Sequence, residues 1–130
     1  MRDLKFRAWL KSMDELNGMH EVKSLHLNTG NIIISTQYGN QSIPPLQYDL
    51  MQYTGLKDKN GVEIYQGDLL HNPHDKNYCY AIVWNEDKAG FGLGTDDENL
   101  KPYQVHEFWE VIGNIYENPD QRYWSKVNDH

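Results

Sequence analysis

The chain has 130 residues, a mass of 15.3 kDa and a net charge of −7, with 38% hydrophobic and 12% aromatic residues. That length makes one domain, or a small domain with an appendage, and nine Tyr, four Trp and three Phe bring enough buried area per residue to exclude disorder over most of it. The acidity is uneven: residues 1–50 carry five basic and five acidic side chains and residues 51–130 seven and fourteen. A duplex nucleic acid would be repelled over most of such a surface and is not an expected partner.

Cys79 is the single cysteine, which rules out an intrachain disulfide and points to a reducing cytoplasm. The opening MRDLKFRAWLKS has no apolar core followed by a small-residue cleavage site, and the longest aliphatic run is Ile32-Ile33-Ile34, so neither secretion nor a membrane partner is expected. The basic group Arg2, Lys5, Arg7 and Lys11 reads as a solvated strand face in preference to a phosphate site.

In chain order, Leu4, Phe6 and Ala8 alternate with Lys5, Arg7 and Trp9, the period of a strand with one buried face. Asn17-Gly18 tolerates positive φ and predicts a hairpin return through Met19–Val22. Ser24–Leu27 and Ile32–Ser35 flank the turn Asn28-Thr29-Gly30-Asn31, a second hairpin. Thr36–Ser42 is polar and Pro44-Pro45 supplies no backbone donors, so the sheet is expected to break there, with an internal boundary at residues 36–46. Leu46–Tyr53 fits a strand or one short helical turn, and the strand is the preferred reading. Asp58-Lys59-Asn60-Gly61 is a tight reversal, Asp first as an Asx-turn acceptor and Asn-Gly last for left-handed geometry. Gly67-Asp68 then opens a strand through His71. Further strands are expected at Tyr78–Trp84, Gly90–Gly94 and Phe108–Glu117, the last interrupted at Gly113 by a bulge or corner.

The series Tyr53-Thr54-Gly55-Leu56-Lys57-Asp58-Lys59-Asn60-Gly61, then Glu63-Ile64-Tyr65 and Gly67-Asp68-Leu69, resembles the central signature of the YopX-like proteins, a family of small phage and prophage proteins. Lys5-Phe6-Arg7-Ala8-Trp9 is similar to that family's opening, and Glu110-Val111-Ile112-Gly113-Asn114-Ile115-Tyr116-Glu117-Asn118-Pro119 to its close. The resemblance implies a mainly β fold: an N-terminal β-hairpin segment, residues 1–45, a C-terminal SH3-like small barrel, residues 46–120, and a tail, residues 121–130. It implies no reaction, ligand or catalytic residue. Thr54, Gly55, Asp58, Asn60, Gly61, Ile64, Gly67, Asp68 and Gly113 are its structural signature.

No constellation assigns chemistry. His71, His74 and Cys79 offer three zinc-type ligands without a second cluster, and read better as loop histidines and a buried strand cysteine whose apolar setting raises its pKa. Asp58, Asn60, Gly61 and Glu63 fail the spacing of a calcium loop. Glu86-Asp87 and Asp96-Asp97-Glu98 sit in polar loops and read as solvated charge. Gly90–Gly94 lacks dinucleotide spacing, and Trp9, Tyr65, Trp84, Phe91, Tyr103 and Trp109 lack the positive charge that single-strand stacking needs. No catalytic, cofactor or metal residue is assigned, and no cofactor is expected. Both faces of Tyr78–Trp84 are apolar, which makes Tyr78, Tyr80, Ile82 and Trp84 a candidate interface. The expected function is that of a non-enzymatic phage or prophage accessory protein that forms a homo-oligomer and binds a host or phage protein. The alternatives are an acidic nucleic-acid mimic that inhibits a DNA-binding protein, and a small enzyme or nucleic-acid binder whose site is made only in the fold.

Overall fold

The alternation at the start of the chain forms β1 (Phe6–Leu10), with Ala8 and Leu10 fully buried. The computed structural model describes residues 4–72, 75–86, 89–93 and 109–118, with backbone alone at 75–78 and 85. The chain is mainly β with a curled half-barrel sheet, and no α-helix occurs among the described residues. It divides into two compact units, Asp3–Gln52 and the chain from Tyr53 on.

In the first unit β1 pairs antiparallel with β2 (Gly18–Glu21), Ala8 opposite His20 and Arg7 opposite Glu21. The connection is a 3-10 turn at Asp14–Leu16, and Asn17 Oδ1 accepts the Met13 amide at 2.7 Å. The expected reversal at Asn17-Gly18 falls earlier, at this turn, and Gly18, with φ +127°, already opens β2 opposite Leu10. The second expected hairpin is β3 (Ser24–Leu25) with β4 (Ile32–Thr36). Its turn depends on Gly30, because φ is +77° and a Cβ there would come within 2.8 Å of Pro45 Cγ. The Tyr48 hydroxyl donates to the Gly30 carbonyl and holds the same loop.

The polar stretch after β4 does not end the sheet. It reverses within two residues, Thr36 pairing with Gly39, and returns as β5 (Gly39–Ile43) along the whole of β4. Its composition hid it because β5 has a single paired neighbour and buries only Ile43. The break comes at Pro44-Pro45, where a 3-10 turn spans Pro45–Gln47; Leu46 therefore stands outside the strand assigned to it and is exposed. Ala8, Leu10, Ile32, Ile34 and Ile43 form this unit's core, with Met13, Leu16, Val22, Leu25, Tyr48 and Leu50 packed on it.

β6 runs from Tyr48 to Lys57, and its first five residues pair with β1, Leu10 opposite Tyr48 through Phe6 opposite Gln52. The two compact units divide after Gln52, within β6. In the second unit the later part of β6 pairs with the short β7 (Glu63–Tyr65). β8 (Asp68–Asn72), β9 (Asp75–Asn85), β10 (Gly90–Leu93) and β11 (Glu110–Asn114) form an antiparallel sheet in the order β10-β9-β8-β11. Leu69 and Leu70 are both fully buried, so β8, paired on both edges, is also covered on both faces. Ile64, Leu70, Ile82 and Phe91 make the second core, with Leu56, Leu93, Trp109 and Val111 against it. The acidic loop at 95–101 and the tail at 121–130 lie outside the described residues.

Ile34 sits at the centre of the first core with no exposed surface. Ile34→Ala is expected to cost about 3 kcal/mol of stability, read as a lowered midpoint in urea unfolding with the slope unchanged.

Candidate functional site

The stretch from Tyr53 to Leu70 is held by two buried carboxylates, Asp58 and Asp68, each 2% exposed. At the reversal the Asp58 amide donates to the Val62 carbonyl at 2.9 Å, and the Gly61 amide to the Asp58 carbonyl at 3.0 Å with Gly61 at φ +81°. The Asp58 side chain closes the turn from inside. Its Oδ1 accepts the amides of Asn60 at 2.8 Å and Val62 at 2.9 Å, and its Oδ2 accepts the Val111 amide of β11 at 2.9 Å. Only a carboxylate offers acceptors on both oxygens in this arrangement, since an amide would present donors to one of these N–H groups. The Lys59 amide donates to the Trp109 carbonyl at 3.0 Å and repeats the tether.

The other signature residues have equally local tasks. The Thr54 hydroxyl donates to the Ile64 carbonyl at 2.8 Å and accepts the Leu56 amide at 3.1 Å, beside a register shift between Tyr53 and Lys57 that Gly55 accommodates at φ +88°. Ile64 is core. The Gly67 amide reaches the Ile82 carbonyl at 2.9 Å, its carbonyl accepts the Ile115 amide at 2.9 Å, and Asp68 Oδ2 accepts the Tyr65 amide at 2.7 Å. Gly113 marks a bulge in β11 against β8, and a Cβ there would collide with Asn118 Oδ1, the acceptor for the Asn114 amide. Asn114 Oδ1 in turn accepts the amides of Tyr116 and Glu117.

One cluster of side chains was not foreseen. Glu110 Oε1 meets His71 Nε2, while its Oε2 accepts from Asn60 Nδ2 at 3.3 Å and lies 3.8 Å from Lys59 Nζ. The His71 hydrogen bond holds the Glu110 carboxyl below its ordinary range against some desolvation, helped by Asn60 and by the charges of His71 and Lys59. Its members lie 39 and 50 residues apart, so no local pattern could announce it. It pairs an imidazole with a carboxylate, and the described side chains around the carboxylate are those of Asn60 and Lys59. Among the described residues no three His, Cys, Asp or Glu side chains group to hold a metal. His74, Asp87 and Asp96-Asp97-Glu98 lie outside the described residues. Cys79 is buried, and burial pushes its thiol pKa up.

Along β9 the candidate interface residues separate. Ile82 belongs to the core and presents no surface. Tyr80 is half-buried, with its ring edge-on to Trp109 at 5.7 Å. Trp84 stands edge-on to Phe91 at 5.1 Å and remains 47% exposed, with Val83 also exposed beside it in sequence. The Tyr78 side chain lies outside the described residues.

Asp58→Ala is expected to leave three backbone N–H groups without their acceptor and to cost about 3–5 kcal/mol in denaturant unfolding. Asp58→Asn, which keeps one acceptor oxygen, falls between Ala and wild type. For Glu110 the folded pKa lies below the ordinary 4.5, so its contribution to stability is present above that pH and is lost as pH falls through the folded value. Unfolding curves of wild type and Glu110→Gln should therefore differ at neutral pH and converge in acid.

A family model described as YopX protein matches residues 5–121. Among solved structures the chain is similar to the crystal structure of protein EF1440 from Enterococcus faecalis, with 27% sequence identity and a TM-score of 0.67, covering 94% of this chain and 99% of that one. No curated protein matches. The matched span takes in β1, the Asp58 turn and β11 together, and by it the chain belongs to the YopX protein family.

Proposed function

We propose that this chain is a non-enzymatic accessory protein of phage or prophage origin that works in the bacterial cytoplasm by self-association and by binding another macromolecule. The observation that carries the reading is the division of labour in the second unit. Its buried signature carboxylates accept backbone amides, which leaves no buried acid poised for proton transfer among them. Trp84 and Val83, in contrast, offer apolar surface to solvent. An exposed tryptophan packed edge-on against a second ring is a rigid anchor of the kind that contributes strongly to protein interfaces.

Light scattering at micromolar concentration is expected to give a mass above that of one chain, and Trp84→Glu to reduce it towards one chain while the far-UV spectrum stays unchanged. Affinity capture from induced lysogens with wild type and Trp84→Glu as baits then separates self-association from partner binding. A monomeric wild type that captures nothing would sink the reading.

A further inference from the structure

β5 leaves one edge of its three-stranded sheet open, because among the described residues β4 is its single paired neighbour. The direction of its backbone groups follows from β4. The His26 amide donates to the Asn31 carbonyl at 2.9 Å, and since bonds alternate along an antiparallel strand, Asn31 and Ile33 serve β3 while Ile32, Ile34 and Thr36 serve β5. Gly39, Gln41 and Ile43 therefore turn their amides and carbonyls to β4, and the exposed Asn40 and Ser42 turn theirs outward. The strand carries none of the devices that guard an edge. Its register with β4 runs from Ile32 opposite Ile43 to Thr36 opposite Gly39 without a bulge, and it contains neither proline nor charge.

Charge and symmetry define the occupant. From Ser24 to Tyr48, a span that takes in all of β3, β4 and β5, the chain has no Asp, Glu, Lys or Arg, although 24% of its residues are charged. Two copies of a protein of net charge −7 repel each other, and at this sheet they meet with little opposition; Glu15 touches its turn end, accepting from the Tyr38 hydroxyl at 3.3 Å. The edge is also self-complementary. A two-fold axis through Gln41 sets Asn40 of one copy opposite Ser42 of the other, and both such pairs exchange their outward hydrogen bonds. The same register brings Tyr38 of one copy to the Pro44–Leu46 turn of the other. Tyr38 is 61% exposed and Leu46 90%, so each end of the joined strands gathers apolar surface that a single copy leaves in water. We propose that β5 pairs antiparallel with β5 of a second copy across this axis, which joins two three-stranded sheets into one. The proposal rests on the self-association reading and adds to it a contact in the first unit, whereas Trp84 belongs to the second.

Cysteine crosslinking of the full chain reads the register. Across the axis Gln41 faces its own copy as a pair without mutual hydrogen bonds, with Cα atoms about 4.5 Å apart, a separation that a disulfide spans. Gln41→Cys is treated with oxidised glutathione at micromolar concentration and run on non-reducing gels beside Ser42→Cys and wild type, all three retaining the buried Cys79. Gln41→Cys is expected to form a covalent dimer about tenfold or more faster than Ser42→Cys, whose two copies stand two positions out of register. Asn40→Lys changes an exposed side chain, and thermal melts verify that it folds. It should raise the dissociation constant of the pair about tenfold or more, read by light scattering across a dilution series, because it sets a charge on the meeting edge. Trp84→Glu is expected to leave the Gln41→Cys crosslink intact. Equal crosslinking of Gln41→Cys and Ser42→Cys, or an oligomer unchanged in folded Asn40→Lys, overturns the proposal and leaves self-association standing on another surface. A monomeric wild type removes the self-association reading and this proposal together. If Asn40→Lys leaves the mass of the purified chain unchanged but abolishes capture of a lysate protein, the edge takes a foreign strand and the proposal falls.

Discussion

Three backbone amides converge on the carboxylate of Asp58, and the second unit is arranged around that convergence. Two of them, Asn60 and Val62, belong to the turn that the same residue starts, while the third, Val111, comes from 53 residues further along the chain. A buried carboxylate is costly unless its acceptor sites are filled, and here the filling requires both the turn geometry and the arrival of β11. One side chain thus makes a local choice and a long-range choice depend on each other. Gly61 supplies the left-handed geometry that brings the amides round, and the Lys59 amide to the Trp109 carbonyl doubles the connection.

From this anchor the surroundings follow. β11 placed beside β8 brings Glu110 opposite His71, and the turn delivers Lys59 and Asn60 to the other carboxylate oxygen. The bulge at Gly113 re-aims the end of β11 so that Asn118 can accept the Asn114 amide, and the short turn after it is tied by Asn114 itself. The cluster at Glu110 is then a product of the anchoring, and its unusual carboxyl reflects a structural neighbour set, the commonest source of such shifts outside active sites.

What was legible in the sequence was what local chemistry writes. The β1–β2 hairpin, the Asp58–Gly61 reversal and the bulge at Gly113 each rest on a residue whose backbone or side-chain constraint acts within a few positions. β5 escaped because an edge strand that buries one side chain in five needs no apolar pattern, and β7 because three residues between two turns carry too little period to read. Tyr48–Gln52 pairs with β1, a long-range contact that no local pattern announces. On β9, composition could not assign the apolar side chains: Ile82 went to the core and Trp84 to the surface, a difference decided by the neighbours that topology brings.

The reach from Asp58 to Val111 also sets an order of events in synthesis. A ribosome that has delivered the turn has not yet delivered its third donor, so the emerging chain holds a carboxylate made for burial while the strand that completes its shell is still to come. The first unit, complete by Gln52, contains all of its own pairings and can close while the second waits. The chain is in this sense timed from its far end, with β11 as the segment whose arrival converts an open sheet into a finished one.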